Sequence, residues 1–159
     1  MNDPRLLEAR VKKRLTDAQR HLVALDVAVA GFGDDFAVGA FESSWRSDQP
    51  AELHRAYIVQ AGFENVINAV ITVGRELCEL KGWLAGNNEP SSVEILRLLH
   101  ENGIVDARVR RQLVRVQELR TKVQHDYANT DASAVHEAVV LVLDAAPRMI
   151  QDAALAVRT

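Results

Sequence analysis

The chain has 159 residues, a formal net charge of −3, 48% apolar residues and 26% charged residues. These values are typical of one globular domain with a real core, and they exclude a collagen-like or largely disordered chain. The negative net charge argues against binding of nucleic acid over the whole surface, and the charged N-terminal segment, the interrupted apolar runs and a single cysteine, Cys78, favour a cytoplasmic protein without a membrane span.

The apolar spacing in the first half of the chain predicts helices alone, with no segment that alternates for long enough to form a strand. A first helix is predicted from residue 3 or 4 to residue 30, where Gly31-Phe32-Gly33 ends it. A shorter helix is predicted over residues 35–45. The segment Ser47-Asp48-Gln49-Pro50 then opens a long helix that we expect to extend to Leu84.

Start and stop signals divide the second half into three further helices. Ser91 and the glutamate three residues later have capping-box spacing, and Gly103 is placed to end a helix of about three turns. Asp106 can cap the next helix, and Asn129-Thr130-Asp131 precedes a last helix with a kink predicted at Pro147. The sum predicts one domain over residues 1–159, an all-α up-and-down bundle of four main helices plus one or two short ones.

The helix predicted after Asp106 carries most of the positive charge. Residues 106–125 hold six arginines and lysines against Asp106 and Glu118, a net charge of +4, which leaves about −7 for the rest of the chain. A basic helix is usually a solvated face paired with acidic neighbours. This one, however, leads directly into Arg120-Thr121-Lys122-Val123-Gln124-His125-Asp126-Tyr127, the segment of the chain richest in reactive side chains.

Arg120 occupies a position where the helical repeat calls for an apolar residue. Steps of three and four residues through Val109, Leu113 and Val116 reach Arg120 and then Val123. An arginine that faces a core or an interface is costly unless its guanidinium meets an anion. The partner is either a carboxylate of this protein or a phosphate ligand, and both possibilities stay open.

His125 adds a group that can transfer protons near neutral pH, while arginine is suited to hold a phosphate. Together they could cleave RNA without a metal ion: an imidazole would deprotonate a 2′-hydroxyl or protonate the leaving 5′-oxygen, and a guanidinium would stabilise the transition state. Five residues place Arg120 and His125 about 140° apart around a helix. One copy cannot easily aim both at one phosphate, whereas two copies related by a twofold axis could.

The pattern of Arg120, four residues, His125, one residue and Tyr127 resembles the R-x4-H-x-Y signature of HepT-like toxins, a branch of the HEPN superfamily of helical ribonucleases. The resemblance also covers the long helix around residues 57–80, the segment Gly103-Ile104-Val105, and the last helix with Asp131 at its start. It therefore extends over most of the chain.

The resemblance implies a homodimeric bundle that cuts RNA, often tRNA, without metal or cofactor in a cleft between the two copies. Arg120 and His125 would be the catalytic pair, and a small nucleotidyltransferase antitoxin would attach AMP to Tyr127 and so block the cleft. Thr121 and Asp126 would support the site, although the family usually has Asn, Asp or His where this chain has Thr121. The candidate contacts for RNA are Arg111, Arg115 and Lys122.

Two other classes of function remain open. In the first, the chain is a non-catalytic helical subunit that binds a substrate or nucleotide for a separate nucleotidyltransferase. In the second, it is a structural or adaptor bundle in which an internal carboxylate such as Glu64 neutralises Arg120.

The remaining polar and aromatic residues are interpreted as structural. A stripe on the long helix is predicted to face water rather than flank a cleft, and it comprises Tyr57, Glu64, Asn68 and Arg75. Cys78 is predicted to be a small core residue, and the tryptophans, Trp45 and Trp83, to be core or dimer-interface anchors.

Overall fold

The computed structural model describes residues 3–33, 35–86, 89–125 and 131–158, with His125 described in its backbone only. Within these ranges the chain is helical and forms no strand, which confirms the all-α bundle of four long and two short helices. The helices are α1 (Pro4–Ala30), α2 (Val38–Trp45), α3 (Pro50–Leu80), α4 (Ser92–Glu101), α5 (Ala107–His125) and α6 (Ala132–Arg158).

Helix α3 is the centre of the bundle and contacts each of the other five helices. Helix α1 packs along α3, and α5 packs along α6. The buried apolar side chains of the described helices form one core cluster, in which Phe41, Phe63, Leu99, Leu113 and Met149 are among the largest fully buried residues. That α1, α3, α5 and α6 share one core fits the apolar stripes that the sequence places on each of them.

Helices α1 and α3 are antiparallel and tied at both ends. Near one end, Gly62 allows a close approach, since a Cβ there would lie 2.9 Å from Leu25 Cδ1. Near the other, Arg10 donates to the carboxylate of Glu76 at 2.9 Å. Glu76 is buried, so the arginine offsets a charge that would otherwise be costly to remove from water.

Helix α3 has the length and mean hydropathy, 31 residues and 1.2, of a segment that could cross a membrane. The likeness rests on length and composition alone, and a helix in the core of a bundle has the same two properties. Its apolar residues lie against the other helices, with Val59, Phe63, Val66, Val70 and Leu77 fully buried. The apolar character of α3 is therefore accounted for by its central place in the bundle.

The predicted caps of α4 and α5 are confirmed. Ser91 Oγ accepts a hydrogen bond from the backbone N–H of Glu94 at 3.2 Å, at the start of α4. After α4, Gly103 has a φ of +75°, which the lack of a Cβ permits, and the turn closes where Ile104 N–H donates to Leu99 O at 2.8 Å. Asp106 Oδ1 then accepts from Val109 N–H at 2.8 Å and caps α5.

Some predicted boundaries are wrong by a few residues. Helix α2 begins at Val38 instead of residue 35, because Phe36 takes a left-handed turn, with φ of 42°, that buries its ring in the core. Helix α3 ends at Leu80 instead of Leu84, because the chain turns at Gly82 with φ of +71°. Pro147 lies inside α6, on its exposed side, and the helix continues to Arg158.

The two tryptophans, Trp45 and Trp83, and the cysteine of α3 are structural, as predicted. Trp45 is partly buried and its ring lies 5.6 Å from that of Tyr57, edge to face, while Trp83 packs against the core from the segment after α3. Cys78 is buried in α3, and burial raises the pKa of its thiol to about 11. The thiol is therefore protonated at neutral pH and unsuited to nucleophilic chemistry.

Candidate functional site

The C-terminal half of α5 places Arg120 on the inner face of the helix, as the apolar repeat predicts. Val116 and Val123, the residues one turn before and after it, are buried, and Arg120 itself is half-buried. Its Nε is buried and has no hydrogen-bond partner among the described residues. An arginine nitrogen in this condition is unusual, because buried polar atoms nearly always find an acceptor.

The charge that Arg120 meets across the helix interface is that of Glu64 on α3. The Glu64 carboxyl is half-buried, and burial raises its pKa, while the positive charge of Arg120 and a hydrogen bond from Gln60 act in the opposite direction. The effect of burial is the larger one. Arg120 and Glu64 therefore attract each other through space, without the direct hydrogen bond that would satisfy the guanidinium.

This arrangement suits Arg120 to bind an anion. A buried donor without an acceptor costs about 1–3 kcal/mol, and a phosphate oxygen that reached the guanidinium would remove that cost. The hypothesis of a structural bundle requires Arg120 to be satisfied by an internal carboxylate such as Glu64. Among the described residues, Glu64 attracts the guanidinium but no acceptor bonds its Nε.

Helix α5 is continuous from Ala107 to His125, so positions 120 and 125 lie on one unbroken helix, as the sequence predicts. On an unbroken helix, positions 120 and 125 are about 140° apart. The side chain of His125 and the whole of Asp126 and Tyr127 lie outside the described residues. The catalytic role of His125, the supporting role of Asp126 and the modification of Tyr127 stay predictions.

Thr121, the residue after Arg120, is exposed to solvent in the last two turns of α5. Its hydroxyl donates to the backbone carbonyl of Gln117, one turn earlier, at 3.0 Å. The hydrogen is therefore used within the helix, as threonines in helices commonly do. The oxygen keeps the capacity to accept a hydrogen bond, which is the support that Thr121 can offer to a group beside it.

Acidic residues of α6 neutralise part of the basic helix. Arg108 binds Asp144 at 3.0 Å, and Arg115 binds Glu137 at 2.7 Å. Both pairs join exposed side chains, so their contribution to stability is small. These ion pairs matter more for the binding of an anionic ligand, since an arginine already held by a carboxylate is less available to a phosphate.

The three candidate RNA contacts therefore differ. Arg115 is held by Glu137 and lies 3.5 Å from Glu118. Arg111 and Lys122 are exposed, and neither forms an ion pair within the part of the chain that the structure describes. The pKa of Asp131 is lowered mainly by hydrogen bonds from Ser133, and the charge of Lys122 adds a smaller effect in the same direction. Arg111 and Lys122 are the two that can offer a full positive charge to a ligand.

The polar stripe on α3 was predicted to face water, and this prediction is wrong for half of it. Tyr57, with 51% of its surface exposed, and Asn68 do face solvent. Glu64 and Arg75 are half-buried, and the Nε of Arg75 has no described hydrogen-bond partner. The periodicity of α3 alone misses this, because it does not say which neighbouring helix covers each edge of the apolar face.

Two of the histidines outside α5, His136 and His100, have structural surroundings. His136 stacks on Phe36, with ring centroids 4.6 Å apart, and its Nε2 lies 2.6 Å from the Phe36 carbonyl oxygen. His100 uses Nδ1 toward the carbonyl oxygen of Val105 at 3.0 Å. Across the described ranges, no group of three or more His, Cys, Asp and Glu side chains is arranged to hold a metal ion.

The family model HepT-like, described as "Ribonuclease HepT-like", matches residues 42–152. The match begins within α2 and ends within α6, so it covers more than half of the chain and contains the whole of α3, α4 and α5. No curated protein and no solved structure matches the chain.

Proposed function

The chain belongs to the HepT-like ribonuclease family, and we propose that it is a metal-independent endoribonuclease that acts as the toxin of a bacterial toxin–antitoxin pair. The observation that carries this proposal is the half-buried guanidinium of Arg120, whose Nε has no acceptor in the described part of the chain. It lies five residues before His125 on one unbroken helix. A phosphate of RNA, a cytoplasmic substrate, supplies the anion that this guanidinium lacks.

In the proposed reaction the RNA provides its own nucleophile. The 2′-oxygen attacks the adjacent phosphorus while one imidazole takes the 2′-hydroxyl proton. The bond between phosphorus and the 5′-oxygen breaks, and a second imidazole gives a proton to that leaving oxygen. The products are a 2′,3′-cyclic phosphate and a 5′-hydroxyl end. Arg120 stabilises the negative charge that grows on the phosphoryl oxygens in the transition state.

Two copies of the chain are needed for this chemistry. Positions 120 and 125 lie about 140° apart on one helix, so Arg120 and His125 of a single copy diverge. A twofold axis beside the end of α5 would bring Arg120 of one copy toward His125 of the other, and would also supply the acid and the base from identical residues. We therefore propose a homodimer with one RNA cleft at its interface.

Regulation is proposed at Tyr127, two residues beyond His125. A nucleotidyltransferase antitoxin would transfer AMP to the phenolic oxygen and so add a negative charge and a bulky nucleotide beside the cleft. RNA phosphates would be repelled and excluded. Asp126 and Thr121 flank the catalytic pair in sequence and are proposed to orient it.

The alternative function is a non-catalytic subunit that holds a substrate or nucleotide for a separate nucleotidyltransferase. The observation that favours it is Thr121, whose hydroxyl hydrogen is already donated to Gln117 and so is not available to the site. Arg120 would then bind a phosphate that is not cleaved. The two functions share the fold and the partner, and activity separates them.

Growth of a bacterial host after induced expression tests the proposal. We expect the wild-type chain to arrest growth, and Arg120→Ala and His125→Ala to abolish the arrest at matched protein levels. Arg20→Ala is the matched control, because Arg20 is exposed on α1, a helix that does not pack along α5. RNA from the arrested cells should carry new 2′,3′-cyclic phosphate and 5′-hydroxyl ends.

Equal growth of all four strains would count against the nuclease, provided that the host has not modified Tyr127. Mass spectrometry of the purified chain detects a bound AMP directly, and Tyr127→Phe removes the acceptor. If the unmodified wild-type chain neither arrests growth nor cleaves RNA in vitro, the ribonuclease proposal fails and the binding-subunit function takes its place.

A further inference from the structure

A groove of about 430 Å³ runs between α4 and α5, and two of the candidate RNA contacts, Arg111 and Arg115, are among the residues that line it. Val93 and His100 line it from α4, and Arg110, Arg111 and Val114 line it from α5. It combines cationic side chains with apolar surface. A single-stranded nucleic acid presents the matching combination, phosphates and the faces of bases.

The charges of the groove favour an anion. Arg110, Arg111 and Arg115 all line it, and Glu118 is its only acidic lining residue among those described. Glu118 lies 3.5 Å from Arg115, which is also bound to Glu137 of α6, so these charges largely cancel. Arg110 and Arg111 form no ion pair in the described part of the chain, so the groove keeps an excess of positive charge.

The apolar part of the groove comes mainly from Val93 and Val114. Val93 has 52% of its surface exposed, although it lies in the first turn of α4, whose other apolar side chains are mostly buried. His100 forms a rigid part of the wall, because its Nδ1–H donates to the Val105 carbonyl oxygen. An exposed valine beside two free arginines offers a surface on which a base can rest while its phosphate is bound.

The groove is continuous with the face of α5 on which the catalytic histidine position lies. Steps of three and four residues lead from Arg111 through Arg115, Glu118 and Lys122 to position 125. At 1.5 Å per residue, this path is about 21 Å long. A strand held at Arg111 could therefore follow α5 to the end of the helix over a length of several nucleotides.

We propose that this groove binds single-stranded RNA beside the cleavage site, with Arg110 and Arg111 on its phosphates and Val93 and Val114 against a base. The inference rests on the proposed ribonuclease function and adds a property to it. Efficient cleavage requires a single-stranded extension that reaches from the cut site to the groove. A very short RNA lacks the contacts that the groove supplies.

The test compares Arg110→Gln/Arg111→Gln with the control Arg20→Gln, with each chain full length and purified. Cleavage of a single-stranded RNA of about 16 nucleotides and of progressively shorter RNAs is measured at several salt concentrations. For the longest RNA we expect the KM of the double variant to rise about tenfold, and the difference from the control to shrink as the RNA is shortened. The slope of log affinity against log salt concentration should become shallower by about 1.4, because two phosphate contacts are lost. Arg110→Lys/Arg111→Lys should recover most of the affinity, because it keeps both charges.

A second measurement separates the groove from the catalytic site. Binding of labelled, uncleaved RNA is followed by fluorescence anisotropy in a His125→Ala background. If the double glutamine variant binds and cleaves long RNA as the Arg20→Gln control does, the groove inference is overturned while the ribonuclease function stands. If it keeps RNA cleavage but no longer binds a nucleotidyltransferase antitoxin, the groove is a protein-binding surface and the inference is again overturned. If the wild-type chain neither binds nor cleaves RNA, both proposals fail.

Discussion

Arg120 and Glu64 share a half-buried position between α5 and α3, and the balance between them decides what the arginine can bind. Burial disfavours the charged form of Glu64 more than the attraction of Arg120 favours it, since the pKa of the carboxyl is raised. A phosphate bound at Arg120 would meet the ionised carboxylate as a second negative charge. An ionised Glu64 would therefore weaken the binding of a phosphate at Arg120, and a protonated Glu64 would not.

Replacement of Glu64 by Gln should change the dependence of stability on pH. Because the folded-state pKa is raised above the ordinary value of 4.5, the folded protein holds the proton more tightly than the unfolded chain does. Wild-type stability should thus fall as pH rises from 4.5 through the raised pKa, and Glu64→Gln should lack that part of the fall. Thermal melts followed by circular dichroism across this range measure the difference.

Glu8 provides the control for this experiment. It is a glutamate whose pKa is lowered by an exposed contact with Lys12, so its contribution has the opposite sign. Glu8→Gln should therefore leave the fall above pH 4.5 in place. A lower melting temperature of Glu64→Gln at neutral pH would contradict the interpretation, because it would mean that the attraction of Arg120 outweighs the cost of burial.

At the scale of elements, the close approach of α4 to α3 depends on a glycine in the middle of a long helix. A Cβ on Gly74 would lie 2.9 Å from both Ile95 Cγ2 and Leu99 Cδ1, and these two side chains are fully buried. They cannot both move without disturbing the core. The glycine is thus explained by packing, although glycine is an unfavourable residue inside a helix.

Gly74→Ala should destabilise the protein by about 1 kcal/mol, because the cost of overpacking exceeds the gain in helix propensity. Gly39→Ala in α2 is the matched control, since no atom lies within 4 Å of the added Cβ there. The control should stabilise the protein by up to about 1 kcal/mol. Urea unfolding of both variants measures these opposite changes in the free energy of unfolding. A stabilised Gly74→Ala would show that α4 can move away from α3.

The helices and most of their caps could be predicted from the sequence, because they depend on local signals. The apolar repeats, the cap at Asp106 and the turn at Gly103 are examples of such signals. The start of α2 could not be predicted, since the ring of Phe36, which takes the left-handed turn, is buried and stacks on His136, a residue distant in the sequence. A local pattern does not contain that contact.

The candidate site was only partly predictable for the same reason. The inward position of Arg120 follows from the repeat of α5 and was predicted. The half-buried state of Glu64 depends on which helix covers that edge of α3 and was not. Arg110 was also missed, since the groove that it lines exists only because α4 brings Val93 beside α5. The adjacent pair Arg110-Arg111 was the one signal in the sequence that could have indicated it.

At the scale of the whole molecule, the proposed cleft depends on two copies of the chain. If the two imidazoles of the cleft come from different copies, a dimer with a single His125 should lack either the base or the acid. The wild-type chain, unfolded and refolded with an equal amount of His125→Ala, should therefore keep roughly a quarter of the cleavage of the same total amount of wild-type chain, because about one dimer in four then has both histidines.

The same two chains refolded separately and then mixed briefly provide the control, and they should keep roughly half of that cleavage as long as the dimers do not exchange subunits. If the co-refolded sample also keeps about half, with mixed dimers demonstrated by mass, the two-copy site is contradicted. The catalytic groups of one chain would then act together.

Helix α6 pairs with Arg108 and Arg115 but leaves Arg110, Arg111 and Lys122 without an ion pair among the described residues, so α5 keeps an excess of positive charge. Such a charge attracts a diffusing polyanion and prolongs its encounters with α5. The rate of productive encounter should therefore fall steeply as ionic strength rises, because salt shortens the range of the field to about 8–10 Å.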